Sequence, residues 1–260
     1  MVTYKPQSEF DNETNSVWQN LILKTYSENE FESNPRGMRV LEVLNGSYTV
    51  PMPAYISLVK RNINKKFMFA EAAWIISGSN RLSDLTKTMK MYANFSDDGV
   101  FLRGAYGPKV VDQLPYIVDT LVNDNDSRQA VMTIWRERPA PSKDIPCTVA
   151  AQFFIRDKKL YAIFTMRSND AILGVTYDVF SFSMIAKSVQ LLLRAKGVLC
   201  ELGTLTVNAG SLHIYEQHFK NIYQWSTTTE VDTALEETVN SLRWVDTYEE
   251  LINKLQELSN

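Results

Sequence analysis

Residues 166–182 read MRSNDAILGVTYDVFSF, and this stretch decides how strand and helix meet in the chain. Just before it, KLYAIFTM (Lys159–Met166) is apolar and rich in residues that suit a half-buried strand. Asp157-Lys158 joins that run to VAAQFFIR (Val149–Arg156), and two short runs with a two-residue connection read as a β-hairpin. On the far side, Asp178–Ala195 carries apolar residues at helical spacing and ends near Gly197. Asp178 therefore stands at the N-terminal edge of the expected helix, where the dipole favours an anion. The segment that follows, ELGTLTVNAGSLHIY (Glu201–Tyr215), reads as extended.

Outward from this centre, KRNINKKFMFAEAAWIISG (Lys60–Gly78) passes from basic to apolar residues without proline and stops at a glycine. That pattern predicts a helix entering the core, with Trp74 and Ile75 buried. Asn123–Ser127 (NDNDS) reads as a turn before the short strand AVMTIW, and DTYEELINKLQELS (Asp246–Ser259) as an amphipathic surface helix. Strands and helices are segregated rather than alternating, which points to an α+β fold. No repeat, low-complexity tract or linker divides residues 1–260, so one domain is expected.

Composition excludes several classes of function. The chain has 260 residues, 45% hydrophobic and 22% charged, the balance of a soluble globular protein with material for a sizeable core. A net charge of −3 argues against an obligatory nucleic-acid partner, because phosphate backbones are held by clustered Lys and Arg. The N-terminal MVTYKPQSEFDNETN has neither a basic leader nor an apolar core segment, and no window approaches the roughly 18 to 20 apolar residues of a spanning helix. A cytosolic protein without membrane contact is expected. Two cysteines, Cys147 and Cys200, do not make a disulfide framework, and His213 with His218 does not make a zinc site, so no metal is expected.

A cysteine after a proline means little by itself, since free cysteines usually fill cores. Its surroundings carry more. Ile145-Pro146-Cys147-Thr148 is followed by QFFIRDKKLYAIFTMRSNDAILG and then by GTLTVNAGSLHIYEQH. This order resembles the thymidylate synthase family's run of Pro-Cys, Gln-Phe, Arg-Ser-x-Asp-x-x-Leu-Gly and Gly-x-x-His-x-Tyr-x-x-His. The resemblance covers about Glu71 to His218. It implies that family's fold, a large mixed β-sheet flanked by helices, with the sheets of two subunits packed back to back in a homodimer. It also implies a pyrimidine nucleoside monophosphate as substrate and 5,10-methylenetetrahydrofolate as co-substrate.

Each residue type suits the role the resemblance implies. A thiolate at Cys147 adds to carbon 6 of a pyrimidine, making carbon 5 a nucleophile. Arg167 is expected to lower the thiol's pKa and to hold the phosphate with Ser168, Arg36 and Arg128, the last reaching across the dimer interface. His213 and Tyr215, two apart on an extended segment, share a face and suit the ribose hydroxyl. Asp170, Leu173, Gly174 and Tyr177 match the folate site. Glu71 matches the glutamate that orders active-site water, and Tyr106 the tyrosine that assists removal of the carbon 5 proton.

Departures from the thymidylate-forming pattern point to one branch. Asp178 replaces an asparagine whose amide matches uracil; an ionised carboxylate only accepts, which matches the amino group of cytosine and a protonated ring nitrogen 3. Cys147-Thr148 and NAGSLHIYEQH resemble the phage-type deoxycytidylate hydroxymethylases. Tyr92 or a neighbour stands where the family's shielding tryptophan is found, which favours water over hydride in the last step. The expected reaction is 5-hydroxymethylation of a cytidine monophosphate, dCMP first. The alternatives are CMP as substrate, methyl transfer to the same ring, thymidylate formation from dUMP, or a non-catalytic nucleotide- or RNA-binding relative. Gln129 replaces a family arginine after Arg128, which removes one phosphate donor.

Overall fold

The computed structural model describes residues 13–137 and 140–260, so the first residues of the N-terminal segment read above lie outside it. Strands β1 (Phe31–Ser33), β2 (Val40–Pro51), β3 (Val131–Thr133), β4 (Thr148–Arg156), β5 (Lys159–Asp170) and β6 (Glu201–Tyr215) form one sheet in the order β1-β2-β6-β5-β4-β3. Every neighbouring pair is antiparallel except β5 and β6. The expected mixed sheet is therefore present. The hairpin is also as expected: Arg156 pairs with Lys159, and the two turn residues between them, Asp157 and Lys158, both have positive φ (48° and 59°). That conformation twists the backbone in the sense the strands need.

The parallel pair requires a crossover, and α5 (Gly174–Ala195) supplies it. The inward faces of β4 and β5 bury Phe153, Ile155, Leu160, Ala162, Phe164 and Met166. α5 lies on that face, with Phe182 stacked on Phe164 at 4.0 Å. The remaining helices are α1 (Glu13–Ser27), α2 (Lys65–Ile76), α3 (Leu82–Thr86), α4 (Gly107–Asn123), α6 (Ile222–Thr227), α7 (Thr233–Ser241) and α8 (Tyr248–Ser259). On α2, Phe69 meets Phe180 of α5 edge to face, and Trp74 and Ile75 are buried as expected. α8 closes over α2, burying Leu251 and Leu255, and the Tyr248 hydroxyl donates to the Ile76 carbonyl.

Three elements differ from the sequence reading. α2 starts at Lys65 rather than Lys60, because Asn62 is left-handed and the Asn64 side chain caps the helix by accepting from the Phe67 amide at 3.0 Å. The strand expected over AVMTIW is only Val131–Thr133; beyond it the amides of Ile134 and Trp135 both turn to the Val149 carbonyl. α5 starts at Gly174, so Asp178 lies in its second turn and is not its cap.

Candidate active site

The site is built where the sheet's two parallel strands end and α5 begins. Register places Ser168 beside Ser211 and Asp170 beside His213, so the motif residues of β5 and β6 meet although far apart in sequence. His213 is buried and lies edge-on to Tyr215 at 5.1 Å, both on one face of β6. Cys147 is brought to them by the ladder between β4 and β5, where the Arg167 amide donates to the Cys147 carbonyl at 2.8 Å. The Arg167 guanidinium pins the same loop, donating to the Pro146 and Ile145 carbonyls at 3.0 and 3.1 Å and lying over Trp135.

Around the thiol, charge and burial oppose each other. Burial pushes the Cys147 thiol up; Arg167 and Arg36 pull it back, while Asp178 and Asp144 push the same way as burial. The expected pull of Arg167 on the thiol is present, but desolvation exceeds it and leaves the thiol raised. Arg36, in the tight turn Pro35–Gly37, is near enough to act on Cys147, as a phosphate-side residue needs to be. Tyr106, just ahead of α4, accepts the Thr148 amide at 3.2 Å, and burial, Asp178 and Cys147 all hold its phenol protonated.

Asp178 and Glu71 form the acidic side of the site. Glu71 accepts from the Tyr92 hydroxyl at 2.7 Å and from Ser181 at 3.4 Å; burial pushes its carboxyl up to about 6, against both bonds. Asp178 is raised well above the usual carboxylate range, first by burial and then by Glu71 and Asp170. The idea that a helix start stabilises its charge is thus corrected. The amides ahead of α5 go to Asp170 instead, whose Oδ1 accepts from Ile172 and Leu173 at 2.8 and 3.1 Å. Gly174 is required here by close approach: a methyl group on it would stand 2.5 Å from Asn169 Oδ1 and 3.2 Å from Asp178 Oδ2.

The residues matched to folate line the start of α5. Leu173 is exposed, and Tyr177 lies edge-on to Phe67 at 4.9 Å with its hydroxyl accepting the Asn64 amide. Beside them the buried Arg61 donates to the Ile172 carbonyl at 2.9 Å and lies over Trp225. A carboxylate at Asp170 beside an apolar lip and aromatic edges fits the amino heterocycle and aryl ring of a folate.

One candidate stays apart. Arg128 is exposed on the turn between α4 and β3, and it is not among the charges acting on Cys147. Conversely, Tyr48, Ser181, Asn169 and Arg61 reach the site unforeseen. Ser181 follows Asp178 by three residues on α5, a helical spacing that sequence could have supplied. Tyr48 comes from β2, brought in only by the sheet. Among the described residues, no group of three or more His, Cys, Asp or Glu could hold a metal, and no helix is long and apolar enough to cross a membrane.

Comparison with known proteins agrees with this geometry. The chain is 30% identical over 202 residues to a deoxyuridylate hydroxymethyltransferase of Bacillus phage SP01, covering 70% of this chain and 52% of that protein. A deoxyuridylate hydroxymethyltransferase of Pseudomonas phage M6 is 29% identical, covering 65% and 50% respectively. The chain thus spans about half the length of these phage relatives. A thymidylate synthase of Bacillus subtilis subsp. natto is 24% identical, covering 83% of this chain and 82% of that protein. The thermostable thymidylate synthase A from Bacillus subtilis superposes with a TM-score of 0.69 at 19% identity, covering 84% of this chain and 86% of that one, a likeness of fold. With the thymidylate synthase family pattern matching residues 16–251 around this site, the chain belongs to the thymidylate synthase family.

Proposed function

We propose that this protein, acting as a single catalytic domain over residues 1–260, hydroxymethylates carbon 5 of a cytidine monophosphate, the deoxynucleotide first. The observation that carries the reading is the Tyr92 hydroxyl bonded to Glu71 at 2.7 Å, beside Asp178. A buried carboxylate held this way keeps a water in place, where a hydrocarbon wall would exclude it.

Cys147 Sγ bonds to carbon 6 of the ring, which puts the electron pair on carbon 5. 5,10-Methylenetetrahydrofolate, held by Asp170, Leu173, Gly174 and Tyr177, supplies the one-carbon unit. Tyr106, through water, helps take the proton from carbon 5, and the electron pair left there breaks the bond from the one-carbon unit to nitrogen and expels tetrahydrofolate. Glu71 then draws a proton from its water, which adds to the methylene left on the ring, and release of Cys147 restores the double bond. Arg36, Arg167 and Ser168 hold the phosphate and His213 with Tyr215 the ribose hydroxyl, while Asp178 reads the base. Arg128 joins the phosphate from a second copy of the chain, a role supported by its exposure and by its not being among the charges that act on Cys147 in its own chain.

A uridylate substrate is the second reading, supported by the phage relatives named deoxyuridylate hydroxymethyltransferases. Incubation with methylenetetrahydrofolate and equal dCMP, CMP and dUMP, followed by mass spectrometry, tests both. A gain of about 30 mass units on a cytidine nucleotide is expected, since formaldehyde is in effect added. A gain of about 14 would mean methyl transfer and would refute the role given to Tyr92 and Glu71.

A further inference from the structure

This inference rests on the assignment of Asp178 as the base-reading residue. Two features of its setting decide what it can read. The helix starts four residues earlier than Asp178, and the nearby loop amides are taken by Asp170, so no backbone donor stabilises a charge on Asp178. Around it stand Glu71 from α2, Asp170 from the end of β5, Tyr48 from β2, Tyr92 from the turn Lys90–Phe95, Tyr106 ahead of α4 and Cys147 ahead of β4. Among these described neighbours there is no cation, and no hydrogen bond reaches the carboxyl. Burial and the two acids all oppose ionisation, while the side chain keeps some exposure to the site.

A neutral carboxyl differs from a carboxylate in a way that matters for base choice. It offers one donor and one acceptor, like a carboxamide, but its proton can sit on either oxygen without moving a heavy atom. Facing uracil, the O–H donates to oxygen 4 and the other oxygen accepts the nitrogen 3 hydrogen. Facing cytosine, one oxygen accepts from the amino group and the O–H on the other donates to nitrogen 3. Each pairing makes two hydrogen bonds and leaves no charge unpaired.

We propose that the site accepts both uracil and cytosine nucleotides, Asp178 reading each by exchanging the positions of its donor and acceptor. An ionised carboxylate behaves differently: it repels oxygen 4 of uracil and matches cytosine only after nitrogen 3 has gained a proton. Calorimetric titration of the full chain with dCMP and with dUMP, in buffers of different ionisation enthalpy at about pH 7, separates the two. The expected result is affinities within about tenfold and equal proton uptake for both nucleotides, the shared phosphate contribution cancelling in the difference. A dCMP preference beyond about tenfold, or about one proton more taken up with dCMP than with dUMP, overturns the proposal. Raising the pH weakens dUMP binding as the carboxyl ionises, whereas Asp178→Asn, which cannot ionise, holds its dUMP affinity constant; an equal pH response in both proteins also overturns it. If both nucleotides bind and neither gains a hydroxymethyl group, the reaction assigned above fails while the base reading stands. If neither binds, both fall together.

Discussion

Glu71 is where the chemistry of a single side chain can be tested most directly. Its carboxyl is pushed up to about 6 from the ordinary 4.5. A folded-state value above the unfolded one means that its contribution to stability is fully present below about 4.5 and is lost as the pH rises through about 6. Glu71→Gln, which cannot ionise, is therefore expected to be more stable than the parent at about pH 8, by up to about 2 kcal/mol, and to lose that advantage in acid. Urea unfolding at both pH values checks this, and the variant is expected to form no hydroxymethylated product. For the parent, turnover rises as the pH passes about 6, because only the ionised form draws a proton from water. The Tyr92 hydroxyl holds that value down. In Tyr92→Phe the acid limb of the kcat–pH profile is expected to move to higher pH; an unmoved limb would show that Glu71 is not the titrating group.

At the level of elements, the hairpin and α5 show what local chemistry does and does not fix. Asp157 and Lys158 occupy left-handed conformations that favour Asn and Gly. Replacing them by Asn-Gly is expected to stabilise the protein by about 1 kcal/mol in thermal unfolding without changing kcat, since the turn lies at the opposite end of β5 from Arg167. The hairpin was legible because alternation and a two-residue connection are local signals. The start of α5 was not, because Gly174 in the stretch AILGV lowers helical propensity and Asp178 looks like a cap. The Asp170 side chain, accepting two amides ahead of the helix, decided the matter. A displacement of four residues took Asp178 away from the helix start and left it beside Glu71 and Asp170, which together with burial oppose its ionisation.

Across the whole molecule, the sheet face turned away from α5 carries Phe154, Tyr161 and Ile163 beside Thr204 and Thr206. The back-to-back dimer inferred from the family resemblance would cover this face and bring in Arg128. Sedimentation of the parent as a dimer, and of Ile163→Lys as a monomer with activity lost, is the expected outcome; a fully active monomer would remove Arg128 from the site. By itself the sequence determined the α+β class, the central hairpin and the helix holding Trp74, and it singled out Cys147, Arg167, Asp170 and His213 as candidates, because alternation, helical period and ordered motifs are written locally. Only the tertiary structure decided that burial outweighs Arg167 at the Cys147 thiol, that Tyr48 and Arg61 join the site, and that Asp178 faces acids with no cation among the described residues that act on it. Those outcomes depend on desolvation and on charges carried by separate elements, and neither exists until the sheet and helices have packed.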